Sequence, residues 1–148
     1  MKEKTWDITN MNDLEKVSEE VLSAISQLSV EGAAVLALDG ELGTGKTTFT
    51  QSLARKLGVE EFITSPTFVI MKNYQTKHPL FKELVHVDAY RLESVEELKV
   101  LGFERMIKNK DYLICIEWAS KVKEILPKGK MSLEFVLEKE RRFLKSAI

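Results

Sequence analysis

Lys46 and Thr47 close the segment Gly40-Glu41-Leu42-Gly43-Thr44-Gly45-Lys46-Thr47, which fits the phosphate-binding pattern G-x-x-x-x-G-K-[ST], and Thr48 follows directly. The chemistry explains each residue type. Glycines let the backbone take positive φ and bring its N–H groups within reach of phosphate oxygens, while the unpaired amides and dipole of a helix start attract the anion. Lys46 would neutralise charge between β- and γ-phosphates. Thr47 would set its hydroxyl on Mg²⁺, and Thr48 would hydrogen-bond nearby phosphate. The alternative reading of the same residues is a Gly-rich turn with a solvated lysine.

Phosphate-bound magnesium calls for one or two carboxylates and keeps several waters. Two stand at the ends of apolar runs, Asp88 after "LVHV" and Glu117 after "YLICI". In an open parallel sheet both strand ends rise beside a phosphate loop, so one can bind the ion and the other can hold a metal-bound or attacking water. The alternative is that either one caps a strand end in solvent. In "SPTF", Pro66 stiffens a turn and Thr67 offers a hydroxyl that can sense a γ-phosphate; a plain proline turn into a strand fits the same residues. His86 lies two residues from Asp88 and so on the same strand face, where a packed or hydrogen-bonded histidine is the default reading and catalysis the minor one. Trp118 can stack on a base or ribose, or be core; Arg91 can meet a phosphate or form an ion pair.

The elements that must position these groups follow from periodicity. "KTWDI" (Lys4 to Ile8) alternates as a short half-buried strand, and Asn and Asp residues then cap a helix from about Asp13 to Leu28, with Leu14, Val17, Val21, Leu22, Ile25 and Leu28 at helical spacing. Ala33 to Leu38 is a continuous apolar run, as in a strand buried on both faces. Lys46 to Leu57 is a helix with Gly58 as its left-handed cap. "TFVIMKNY" and "LVHVDAY" are expected to be strands, and "QTKHPL" the loop of an antiparallel pair. Ser94 with Glu97 makes a capping box, "YLICIE" is another strand, "ASKVKEIL" is a helix stopped by Pro127, and "MSLEFVLEK" turns Leu133, Phe135 and Leu137 inward. The expected fold is a single α/β domain over residues 1–148, a P-loop NTPase-like three-layer sandwich with a mixed, partly parallel sheet.

The 148 residues suffice for a core, and 44% hydrophobic with 30% charged residues reads as globular, not disordered. With 22 basic against 23 acidic side chains there is no global footprint of a nucleic-acid binder, so any RNA contact is local or made through a partner. The one cysteine, Cys115, sits in an apolar run and reads as a buried, quiet thiol in a reducing cytosol. No signal peptide or apolar run of membrane-spanning length is evident, and the expected location is cytoplasmic.

Together "GELGTGKTTF", "SPTF", "HVDAYRL" and "IEWA", in this order and at these separations, resemble the TsaE family (YjeE/YdiB), bacterial ATPases needed to form N6-threonylcarbamoyladenosine in tRNA. The resemblance implies that Gly43, Thr44, Gly45, Lys46, Thr47 and Thr48 bind the phosphates of ATP, with Trp118 near the nucleotide. By the same resemblance Thr47 and Glu117 hold Mg²⁺, Asp88 is the essential acid, and Lys46, Asp88 and Glu117 carry catalysis. Ser65, Pro66 and Thr67 then form a switch-like segment, and the surroundings of Thr9 and Asn10 lie where the family places part of its adenine pocket. The implied partners are TsaB and TsaD, with ATP turnover resetting the modifying machine and tRNA met indirectly through the complex. One departure is that "EKERRFLKSAI" ends soon after Arg141 and Arg142, shorter than the tail of some relatives.

Two other functions fit the same scaffold. A small-metabolite kinase would need an arginine-bearing lid, and Arg55, Arg91, Arg105, Arg141 and Arg142 do not gather in one segment. A nucleotide-gated adaptor would bind partners with hydrolysis incidental. A GTPase is disfavoured because N-K-x-D is absent: "NKDY" at Asn109 to Tyr112 puts the acid one residue early.

Overall fold

The computed structural model describes residues 3–28 and 30–147. Among these residues seven strands and four α-helices follow as β1 (Glu3–Asp7), α1 (Met11–Gln27), β2 (Ala34–Asp39), α2 (Lys46–Leu57), β3 (Met71–Gln75), β4 (Glu83–Asp88), α3 (Val95–Val100), α4 (Phe103–Met106), β5 (Tyr112–Glu117), β6 (Met131–Glu138) and β7 (Arg141–Ala147). A 3₁₀ helix, Ala119–Ile125, lies between β5 and β6.

The strands form one sheet in the order β1-β7-β6-β2-β5-β4-β3. β2 pairs in parallel with both β5 and β6, and β4 with β5, while β3 and the β1-β7-β6 flank are antiparallel. The parallel centre is buried on both faces, as its unbroken apolar runs require. On one face Leu36, Leu38, Leu84, Leu113 and Phe135 pack with α1 and α2. On the other, Val35, Ala37, Val85, Val87, Ile114 and Ile116 meet Leu98 of α3, Phe103 of α4 and Val122 of the 3₁₀ helix. The result is the expected three-layer α/β sandwich with a mixed sheet.

Local chemistry sets the helix ends. The Asn10 side chain accepts from the Asn12 N–H at 2.7 Å and starts α1. α2 begins at Lys46 and ends at Leu57, where Gly58 at φ 81° returns its N–H to the carbonyls of Ala54 and Arg55. The Glu97 carboxylate accepts from the N–H of Glu93 and Ser94, closing the start of α3. The two large helices are joined by a buried hydroxyl pair, Ser18 to Ser52 at 2.6 Å.

Four expectations need correction. The strand expected from Thr67 begins only at Met71, because the Pro66 carbonyl accepts from the N–H of Val69 (3.1 Å) and Ile70 (2.6 Å) and holds these residues in a turn that leaves Ile70 at φ 71°. "ASKVKEIL" forms a 3₁₀ helix broken at Val122, the tighter form that short connectors adopt. Leu137 is 50% exposed, near the end of β6 beyond the core. The segment after Glu138, expected to follow the final strand, is itself a strand: β7 pairs antiparallel with both β6 and β1. Its two-residue turn uses Lys139 (φ 48°) and Glu140 (φ 69°), left-handed positions usually filled by Asn or Gly, so the ordinary hairpin signal is missing.

Candidate active site

The loop after β2 is shaped by three glycines with different tasks. Gly40 (φ 149°) is excluded from substitution by packing as well as by conformation, since a Cβ there would lie 2.5 Å from the Phe135 carbonyl. Gly43 (φ 77°) and Gly45 (φ 108°) are required by backbone conformation, and a Cβ on either would meet nothing within 4 Å. That open space belongs to a cleft of about 570 Å³ bordered by the loop, the start of α2 and the ends of β4 and β5. The first helical hydrogen bond of α2 runs from the Phe49 N–H to Gly45, so the preceding amides at the helix start have no partner within it and can face an anion. Thr44 differs from its neighbours. Its hydroxyl donates to the Glu41 carbonyl at 2.7 Å and its side chain is turned away from the cleft, leaving only its backbone for a ligand.

Lys46 is 5% exposed, and its ammonium donates to the carbonyls of Gly40 and Glu41 while lying 4.4 Å from the centre of the Trp118 ring. Burial pushes its pKa below the ordinary lysine value, and the nearby charges of Glu117, Asp88, Asp39 and Glu41 oppose that shift. Among the described residues no carboxylate pairs with it within 4 Å, so the charge is present in the cleft but uncommitted to an acid.

The sheet brings the two acids side by side. Asp88 and Glu117 are register partners at the C-terminal ends of β4 and β5, and each is 4% exposed. The Thr47 hydroxyl donates to Glu117, 3.0 Å from Oε1 and 2.9 Å from Oε2, and His86 Nε2 lies 2.6 Å from Oε2. Asp88 Oδ2 accepts from the hydroxyls of Thr67 (2.8 Å) and Ser65 (3.2 Å), and its Oδ1 from the Tyr90 N–H (3.0 Å). Thus the Pro66 turn that delays β3 is also what delivers two hydroxyls to Asp88. Trp118 borders the cleft in a left-handed conformation (φ 59°) with its ring 5.0 Å from that of Tyr90.

A hydroxyl and a carboxylate are hard oxygen donors of the kind Mg²⁺ accepts, and Thr47 with Glu117 fits such an ion completed by phosphate and water. Among the described residues no cluster of three or more His, Cys, Asp or Glu offers a fuller protein cage.

Gly43, Gly45, Lys46, Thr47, Thr48, Asp88, Glu117 and Trp118 therefore converge on one cleft, joined by Ser65 and Thr67. His86 is fully buried and does not line it. Arg91 lies over the Phe68 ring at 4.5 Å and is likewise absent from the lining. Thr9 lines the cleft beside Ile8, Met11 and Leu42, whereas Asn10 is spent on capping α1. Arg142 was missed from sequence: its guanidinium reaches the Gly43 carbonyl at 3.4 Å and its N–H donates to Thr9 at 2.9 Å, contacts that exist only because β7 pairs with β1. Cys115 is buried, with its thiol pKa pushed up first by burial and then by Glu117, as a quiet thiol should be.

Residues 8–144 match the model of the family described as "Threonylcarbamoyl adenosine biosynthesis protein TsaE". The chain is similar to the tRNA threonylcarbamoyladenosine biosynthesis protein TsaE of Bacillus subtilis, 36% identical over 120 residues covering 79% of this chain and 72% of the relative. The protein of that name from Borreliella burgdorferi is 37% identical over 102 residues, 68% of this chain and 72% of the other. Among solved structures, the crystal structure of YdiB from Bacillus subtilis superposes with a TM-score of 0.67 at 27% identity, covering 98% of this chain and 84% of that one.

Proposed function

The chain belongs to the TsaE family, with its role in tRNA threonylcarbamoyladenosine biosynthesis, and from that premise we propose that it is a Mg²⁺-dependent ATPase that works in the cytoplasm with TsaB and TsaD, hydrolysis resetting the complex and tRNA being met through it. One observation carries the reading: two positive-φ glycines with empty space above them, a buried lysine with no carboxylate partner among the described residues, and a hydroxyl–carboxylate pair share a single cleft.

In this reading the amides of residues 43–48 cradle the phosphates, and Lys46 exchanges its two carbonyl partners for phosphate oxygens, which reverses the burial penalty on its charge. Thr47 and Glu117 hold the cation, which when bound supplies neutralisation of charge developing on the phosphate oxygens. Asp88, fixed by Ser65, Thr67 and Tyr90, orients the attacking water. The apolar wall of Ile8, Met11 and Leu42 suits a base, with Arg142 and Trp118 at the rim.

The expected result is slow ATP turnover by the chain alone that rises on adding TsaB and TsaD, with tRNA then added separately. Lys46→Ala and Glu117→Ala each abolish turnover in a folded protein; full hydrolysis by either, partners present, would refute the assigned roles. A nucleotide-gated adaptor is the second reading, favoured by Phe68 and Val69, 84% and 61% exposed on the turn whose hydroxyls hold Asp88. Full biological rescue by a variant that binds but does not hydrolyse ATP would select it. Phosphate transfer to a nucleoside, nucleotide or small alcohol would instead select a kinase.

A further inference from the structure

Resting on that reading of the cleft, we propose that His86 is a positioning residue: its buried bond to Glu117 sets the orientation of the carboxylate and thereby the affinity of the Thr47–Glu117 pair for the divalent cation. The alternation of β4 turns Leu84, His86 and Asp88 to the α2 face. His86 is fully buried and absent from the cleft lining, so it acts on a ligand only through another residue.

Among the described residues its one polar contact is the 2.6 Å approach of Nε2 to Glu117 Oε2. In this proposal Nε2 carries the hydrogen and the Glu117 oxygen accepts it. Nδ1 is buried with no partner among the described residues. An aliphatic side chain would fill the same space without orphaning a polar atom, so packing does not account for an imidazole here; the bond to Glu117 does. Glu117 is held from two sides, by Thr47 from α2 and by His86 from β4. Thr47 is itself a cation ligand in this reading. His86 is the donor with no other task, the place that outer-shell partners of ligating carboxylates occupy.

The test titrates N-methylanthraniloyl-ADP into the full chain and its variants, without metal and with graded Mg²⁺. Metal-free affinity is expected to be the same for wild type, His86→Gln, His86→Asn and His86→Leu. The Asn and Leu variants need about 10–100 times more Mg²⁺ for the same gain, whereas Gln, whose amide nitrogen reaches the place of Nε2, keeps most of the response. In a Glu117→Gln background, replacing His86 has no further effect. Equal Mg²⁺ response in all variants, undiminished effects in the Glu117→Gln background, or loss of metal-free binding in step with a lower melting temperature would each overturn the inference. Should His86→Leu fail to fold, the Gln–Asn contrast decides. A wild type that binds the analogue and responds to Mg²⁺ while the variants match it sinks this inference alone; a wild type that never binds it sinks the parent reading too.

Discussion

The two faces of the central strands differ in kind. Toward α3, α4 and the 3₁₀ helix, Val35 and Ala37, Val85 and Val87, Ile114 and Ile116 are apolar, and the one acid that ends this face of β2, Asp39, accepts from the Ser120 N–H at 3.0 Å. Toward α1 and α2 the same strands change character along their length: Leu84 gives way to His86 and Asp88, and Leu113 to Cys115 and Glu117. Period-two alternation makes this division possible, since neighbouring residues in one strand answer to separate layers. The apolar residues of one face supply hydrophobic stabilisation and line no part of the cleft. The other buries Lys46, Asp88 and Glu117 to 5% exposure or less, a burial that costs stability unless each charge is well paired.

The sharpest way to break this contrast is to cut one residue from each face and compare. Ile114→Ala on the apolar face is expected to lose about 2–5 kcal/mol in urea unfolding, with nucleotide affinity of the folded protein unchanged. Lys46→Ala on the site face is expected to keep or raise the melting temperature while turnover disappears, the trade typical of strained sites. If the two variants lost stability alike, the division of labour would be wrong.

A smaller effect separates the glycines of the loop. Gly45→Ala places a methyl in open space at φ 108°, so its stability cost is conformational, about 1–2 kcal/mol, and nucleotide binding falls because the methyl enters the cleft. Gly40→Ala, which meets the Phe135 carbonyl, is expected to cost more in thermal unfolding. The reverse order would refute the distinct roles given to them.

The smallest effect lies at the sheet edge. Hydrogen bonds from Thr9, then Arg141, lower the Asp7 pKa to about 2. A depressed carboxyl pKa contributes stability that is present above the unfolded value near 4 and is lost as pH falls through about 2. The stability gap between wild type and Asp7→Asn is therefore expected to be constant from pH 7 to about 5 and to close on further acidification. The Thr9 amide shift followed by NMR checks it, and a gap that widened below pH 4 would contradict the sign.

Much of the architecture is legible in the sequence. The ends of α2 were legible because Gly45 and Gly58 bracket a run of helical spacing, and the strands β2, β4 and β5 because unbroken apolar runs have few other homes. Asp88 and Glu117 were legible as acids terminating such runs. The turn at Pro66 was not, because its two carbonyl bonds compete with strand pairing over residues of good strand propensity. The hairpin into β7 was not, because Lys139 and Glu140 carry no turn chemistry of their own.

By itself the sequence determined the phosphate-type loop, the sandwich class and the acids available to it, since those rest on residues close along the chain and on their periodicity. Tertiary structure alone decided that Thr47 meets Glu117 across 70 positions, that His86 stands behind that carboxylate, and that Arg142 reaches Gly43 across 99. Such contacts follow from strand order and register, which are set by how all the layers pack together and leave no mark in any short stretch of chain.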